Sequence, residues 1–387
     1  MTKKIIYFTT TATAFLTHRL NLAKEAQKKE FQVHLICDAS KNIRQLQKMG
    51  IHVHHLKYMR RGSFNPFRDL MLIYEIYKLY RDLDPTLVHQ VAQKPVLYGT
   101  IAARLAGVKK IVNALGGMGY MFISTSLKAK ILKRIIKILW RLLLKNTNQK
   151  LILQNPTDFN SFKKILSETQ LRLIAGAGIN IKDFPYTPEP TCPIKILMVS
   201  RLLWDKGVDE YIKAANTLKN TYPDVHFQIA GDIDPENPNS LTSQDLENTL
   251  SNTALECLGP RKDIAYLYQN SHIAVLPSYR EGLPKSLLEA CSTGRPIVTT
   301  DVPGCRDVVK NNKNGFVVPV RNASLLAKAI EKLILDPNMR QRFGNHGRAR
   351  AESEFSENAI VKKTFDIYSE LLKKKEFSSP YKKNYSS

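Results

Sequence analysis

Cysteine is scarce in this 387-residue chain, and its five positions, Cys37, Cys192, Cys257, Cys291 and Cys305, form no Cys-x-x-Cys pair and no metal-ligand spacing. That scatter supplies neither a redox pair nor a metal site, and a reducing cytoplasm is the simplest home for it. No apolar run approaches the roughly 20 residues needed to cross a bilayer, so any membrane attachment is expected to be peripheral. The amino terminus lacks a signal-peptide pattern. No Asp-x-Asp metal motif follows a suitable strand, and no aromatic-rich module accompanies the positive charge, which argues against a nucleic-acid binder. Acidic residues are outnumbered: 58 Lys and Arg against 34 Asp and Glu leave a formal net charge of +24. With 43% hydrophobic and 24% charged residues, the chain can bury two cores of ordinary domain size.

A charge of +24 calls for a polyanionic partner, and its distribution favours an anionic lipid surface. Between Leu127 and Lys150 there are eight basic residues and no acidic one. At about 100° per residue, Lys130, Lys133, Arg134, Lys137, Arg141 and Lys145 fall on one stripe. Ile131, Leu132, Ile135, Ile138, Leu139, Leu142 and Leu143 fall on the opposite one, with Trp140 near the boundary. Such a basic amphipathic helix suits the membrane interface. For the apolar stripe the favoured reading is a domain helix that faces its own sheet, and a helix docked that way still presents its lysines to lipid phosphates.

Four prolines between Asp183 and Pro193 forbid regular structure and mark a linker. Before it, Lys4–Phe8, Phe31–Ile36, Leu87–His89, Lys110–Asn113 and Leu151–Leu153 read as strands, with a helix over Leu16–Lys29. His52, His54 and His55 alternate with Val53 in a strand-like run and read as edge residues, not ligands. Beyond the linker the alternation restarts with strands at Ile194–Val199, Val225–Ala230, Ile273–Leu276 and Pro296–Thr299, and helices near Val208–Leu218 and Pro284–Cys291. Two such alternating halves predict two doubly wound α/β domains facing across a cleft, over residues 1–182 and 194–357, joined by 183–193. The polar tail 374–387 reads as disordered.

Glu281 and Glu289 stand eight positions apart, the first in a strand-to-helix loop, the second inside the helix that Pro284 opens. Leu287 and Leu288 pack that helix on a sheet and leave its first amides free to face an anion. Two carboxylates beside an anion site suit a sugar nucleotide: acceptors for hydroxyls, amides for diphosphate. The spacing resembles the EX7E signature of retaining glycosyltransferases of the GT-B fold, in particular family 4. Its neighbours strengthen the likeness. Val199–Gly207 resembles that family's Arg-x4-Lys segment through Arg201 and Lys206, and Thr299–Val309 and Asn314–Pro319 resemble its two later segments in order and interval.

The resemblance implies roles. Breaking a sugar–diphosphate bond leaves negative charge that positioned cations stabilise, and Arg201 and Lys206 match the family's positions for that work. Glu281 matches the carboxylate that holds the donor sugar's hydroxyls, Glu289 the one that binds the ribose, and Gly282 and Leu283 would offer amides to sugar or phosphate. The family is usually metal-independent, so no cofactor is expected. Its members retain the anomeric configuration, favouring same-face attack assisted by the departing phosphate over a covalent intermediate on Glu281. The resemblance also implies that a last helix, 358–373, crosses back to the first domain.

The acceptor half departs from the family where Thr9-Thr10-Thr11-Ala12-Thr13 replaces a glycine-rich loop. Instead, Phe15–Leu20 and Asn113–Tyr120 resemble the branch that extends undecaprenyl-diphosphate-linked glycans. Gly116, Gly117 and Gly119 then line the cleft, or serve only as turn residues. His18 and Arg19 contact an acceptor diphosphate or simply cap a helix. The expected activity is retaining transfer of a hexose or N-acetylhexosamine from a nucleotide sugar, with UDP the favoured carrier, to a lipid-linked glycan at the inner membrane face. A soluble acceptor is the alternative, and a pyridoxal-phosphate phosphorylase of the same fold class is a further one.

Overall fold

The computed structural model of the chain describes residues 2–39, 42–60, 65–117, 127–145, 148–191, 193–250 and 253–373. Among these, two wholly parallel sheets form. The first contains β1 (Lys4–Thr11), β2 (Gln32–Asp38), β3 (His52–His55), β4 (Leu87–Val91), β5 (Ile111–Leu115), β6 (Gln149–Leu153) and β7 (Leu171–Leu173), in the order β3-β2-β1-β4-β5-β6-β7. The second contains β8 (Lys195–Val199), β9 (His226–Ala230), β10 (Leu255–Cys257), β11 (Ile273–Leu276), β12 (Ile297–Thr300) and β13 (Gly315–Val318), in the order β10-β9-β8-β11-β12-β13.

Parallel strands covered on both faces read as unbroken apolar runs. In β1, Ile5 and Tyr7 pack with the helices Leu20–Lys28 and Glu357–Lys373, while Ile6 and Phe8 pack with Pro66–Leu83 and Gln93–Leu105. The second sheet has its own core. Strand order reverses between β1 and β4 in the first sheet and between β8 and β11 in the second, and ligands bind in the crevice that such a reversal opens at the strands' carboxyl ends. Arg201 follows β8, and Glu281 follows β11.

Three local features differ from the sequence expectation. β1 runs on through Thr11, whose hydroxyl accepts the amide of Ala14 at 3.1 Å and caps the next helix. That helix is not the expected continuous Leu16–Lys29: it breaks at Arg19, giving Ala12–His18 and Leu20–Lys28. Pro284 lies at the N-cap of Lys285–Thr293, with extended ψ of 119°, rather than in the first turn.

Residues 183–191 adopt no helix or strand, yet arginines of the second domain hold them. Arg295 donates to Thr187 O at 2.7 Å, and Arg340 Nη2 meets Glu189 at 2.5 Å. Chain direction then returns. Ile360, Phe365, Tyr368 and Leu371 of Glu357–Lys373 join the first domain's core, and Glu370 bonds Lys150 and Arg172 at 2.5 Å each. His34, His52 and His54 stack across the β2–β3 edge, where β3 is the terminal strand.

Candidate active site

The residues expected on the donor side follow the two strands that flank the second reversal. After β8 the chain makes a short turn, Trp204–Lys206, ending at Gly207 with φ of +76°. A side chain there would meet Pro277 O at 2.2 Å, so only glycine lets this turn press against the end of β11. The contact brings Lys206 Nζ onto Glu281 Oε1, which also accepts Ser278 Oγ at 2.9 Å. Arg201 leaves the same segment but is half exposed, bonding Asp234 at 2.5 Å.

Glu289 is buried on the helix Lys285–Thr293, 3.8 Å from Lys285 Nζ. Burial pushes its carboxyl up to about 7, with Lys285 opposing. No side chain caps the start of that helix, which follows β11 and so lies with the positive end of its dipole at the carboxyl ends of the strands.

From the first domain, the Gly116–Gly117 turn after β5 lies against Gly282. A Cβ on Gly282 would sit 1.9 Å from Gly116 O, and Gly117 adopts φ of +117° beside the Gly282 amide. These two glycines of the first domain are therefore in direct contact with the Glu281–Gly282 loop of the second; Gly119 lies outside the described residues. Leu283 packs close to Gly176. Lys285 Nζ reaches across to Thr17 O at 3.3 Å.

His18 keeps solvent access at the cleft, while enclosure by protein and then the charges of Arg19, Lys285 and Arg201 push its pKa down to about 4. The ring is neutral at pH 7. Arg19 is buried behind it: Nη1 donates to His18 O at 2.7 Å, the Arg19 amide caps the preceding helix by donating to Phe15 O at 2.8 Å, and Nε has no partner among the described residues. Both line one cavity with His89, Gly176 and Glu357; His18 is the exposed member of the pair, and the Arg19 charge acts on it.

Known proteins match over both domains. A family model described as "Glycosyl transferase 4-like" matches residues 4–155, and one described as "Glycosyl transferases group 1" matches residues 181–350. The chain belongs to glycosyltransferase family 4. It is 29% identical over 384 residues to the N,N'-diacetylbacillosaminyl-diphospho-undecaprenol alpha-1,3-N-acetylgalactosaminyltransferase of Campylobacter jejuni, covering 95% of this chain and 99% of that one. It is 26% identical to the UDP-Gal:alpha-D-GlcNAc-diphosphoundecaprenol alpha-1,3-galactosyltransferase of Escherichia coli, covering 89% and 90%. The crystal structure of Anabaena HepE with UDP-glucose superposes with a TM-score of 0.74 at 18% identity, over 95% of this chain and 99% of that one. The fold is GT-B, and the protein is a hexosyltransferase.

In this family 4 glycosyltransferase the basic helix spans Leu127–Leu144, and its apolar residues divide differently from expectation. Ile136, Trp140 and Leu144 are buried, and Trp140 packs on Phe162 with ring centroids 5.0 Å apart rather than standing at a boundary. Ile135, Ile138 and Leu142, expected against the sheet, are exposed beside Arg134, Lys137 and Arg141. The helix is apolar on more than one face, and the sheet takes the column holding the large indole, because that buries the most area. The side chains of Lys130, Ile131, Leu132 and Lys133 lie outside the described residues, as do Cys192 and the tail 374–387.

Sequence reasoning missed Asn155, Asp158 and Arg280. Asp158 Oδ1 accepts Arg280 Nη2 at 2.5 Å across the cleft. Asn155-Pro156-x-Asp158 reads as an ordinary helix start, with a cap, a proline and a first-turn acid, and nothing in that pattern signals a second domain.

Proposed function

We propose that this glycosyltransferase moves a hexose or N-acetylhexosamine, with retention, from a UDP-linked donor to a lipid-diphosphate-linked glycan. The observation that carries the proposal is the Lys206–Glu281 contact at the β8–β11 reversal, with Glu289 one helix away. That arrangement offers a cation for the leaving diphosphate, a carboxylate for sugar hydroxyls and a second carboxylate for ribose. Near-full-length similarity to two enzymes named for undecaprenyl-diphosphate-linked substrates supports the acceptor class.

In this reading Lys206 and Arg201 stabilise the departing diphosphate as its charge develops, the free amides at the helix start complete its cradle, and those of Gly282 and Leu283 face the donor sugar. Cationic side chains, rather than a metal or cofactor, carry that work. Glu281 fixes the donor sugar, Glu289 the ribose. His18, neutral and set among Arg19, Lys285 and Arg201, faces the acceptor's diphosphate. The acceptor hydroxyl attacks from the face that the phosphate leaves, and the phosphate oxygen takes its proton.

No helix among the described residues is long and apolar enough to cross a membrane. The exposed Ile135, Ile138 and Leu142, interleaved with Arg134, Lys137 and Arg141, support peripheral attachment to the anionic cytoplasmic face. Mass spectrometry of products from a panel of UDP- and GDP-sugars with a lipid-diphosphate acceptor tests the whole reading. A lengthened lipid-linked glycan is expected. Transfer only to water-soluble acceptors would overturn the acceptor assignment.

A further inference from the structure

The donor loop Arg280-Glu281-Gly282 is held from both domains. Its own domain fixes Glu281 through Lys206 and Ser278, and the Glu281 amide donates to Pro303 O at 3.3 Å. Asn155 and Asp158 hold it from the first domain. Asn155 Oδ1 accepts the Asp158 amide at 2.8 Å, while its Nδ2 donates to Asp158 Oδ2 at 3.0 Å and to Gly282 O at 3.1 Å. Asp158 Oδ1 in turn accepts Arg280 Nη2 at 2.5 Å.

A helix cap needs only the Oδ1-to-amide bond, and a first-turn acid does its work in water. Here both side chains are buried, Asn155 fully and Asp158 to within 2%. Burial raises the pKa of the Asp158 carboxyl, with Arg280 opposing. A desolvated carboxylate is expensive unless a cation answers it, and the cation comes from the residue next to Glu281. The approach is also register-specific, because Gly116 O sits where any side chain on Gly282 would be.

We propose that Asn155 and Asp158 are positioning residues for the transfer reaction: by holding the Gly282 carbonyl and the Arg280 guanidinium, they set the Glu281–Gly282 loop against the donor sugar when the domains are closed. The inference rests on the reading that Glu281 holds that sugar. In that reading the nucleotide is held by Arg201, Lys206, Glu289 and the helix start, none of which Asn155 or Asp158 bonds, so donor use and nucleotide binding separate when the grip is lost.

The test compares Asp158→Asn and Arg280→Gln with the unaltered protein in turnover, donor KM, UDP affinity by calorimetry and thermal midpoint. Loop misplacement lowers kcat on the order of a hundredfold, with UDP affinity unchanged. The double variant is no worse than the more damaged single, because both remove one interaction. Unchanged kcat in folded Asp158→Asn, multiplying losses in the double, or a parallel fall in UDP affinity would each overturn the proposal. Should Asp158→Asn fail to fold, Arg280→Gln carries the same kcat and UDP outcomes from the more exposed side of the pair. An unaltered protein that binds UDP but makes no product from any UDP-sugar would defeat the underlying reading instead.

Discussion

In the second domain the cations at the cleft stand against carboxylates: Lys206 against Glu281, Arg201 against Asp234 at 2.5 Å, and Lys285 against Glu289 at 3.8 Å. In the first domain His18 is neutral, Arg19 is buried without a carboxylate partner among the described residues, and Arg134, Lys137 and Arg141 stand exposed without one. In the proposed donor site the cations are thus placed and partly desolvated before any ligand arrives. Diphosphate then replaces one anion by another with little reorganisation. Uncommitted positive charge on the acceptor half suits a partner that arrives as a surface, since many weak contacts to lipid phosphates add without fixed geometry.

Lys206→Ala is the strongest way to break this comparison. If the pair with Glu281 is a donor site in waiting, turnover falls by about a hundredfold to a thousandfold, with the fold retained in a thermal scan. Arg201→Ala should fall by less, since Arg201 is 51% exposed and solvent competes for its charge. Near-normal turnover in folded Lys206→Ala would reduce the pair to a structural ion pair.

Changing Arg134, Lys137 and Arg141 together to Gln addresses the other half. Each near-surface cation is worth about 1 kcal/mol, so three contribute about 3 kcal/mol, or about a hundredfold in partition onto anionic liposomes. Sedimentation should show the release, and the effect should shrink as salt screens the charges. Turnover on a short soluble acceptor should survive. Unchanged liposome binding at physiological salt would remove the surface role of these cations and leave the exposed Ile138 and Leu142 unexplained.

The same contrast governs what could be read from sequence. The buried runs of β1, β8 and β11 are visible because a strand covered on both faces has little choice but Ile, Val, Leu and aromatic residues. Glu281, Glu289, Arg201 and Lys206 are visible because their residue types, order and intervals match the family's segments. The break at Arg19 is not, since Leu16–Lys29 has helical spacing throughout and only tertiary contacts divide it. Nor is the burial of Trp140: Ile136, Trp140 and Leu144 compete with Ile135, Ile138 and Leu142 for the same sheet, and periodicity cannot rank them. The Asp158–Arg280 contact joins residues 122 apart in the chain, and each has a sufficient local explanation.

Glu289 sharpens the comparison, because among these donor-side pairs its partner is the most distant. A carboxyl raised from the ordinary 4.5 to about 7 binds its proton more tightly folded than unfolded. Its contribution to stability is therefore complete below about pH 4.5 and lost as pH rises through about 7. At pH 8 the fold carries a buried carboxylate at a penalty on the order of 3 kcal/mol. Glu289→Gln should remove much of that penalty, raising stability at pH 8 and changing it little at pH 4.5. The same change should weaken UDP about tenfold at pH 8, because a neutral amide accepts ribose hydroxyls less strongly than a carboxylate. The advantage of the unaltered protein should narrow as pH falls through about 7, where Glu289 takes up its proton. Glu281→Gln, by contrast, should spare free UDP and impair use of the whole donor. A Glu289→Gln protein that is less stable at pH 8 and binds UDP normally would make Glu289 a packing residue. One that is more stable yet binds UDP worse would show a carboxylate whose burial opposes the fold and serves the ligand.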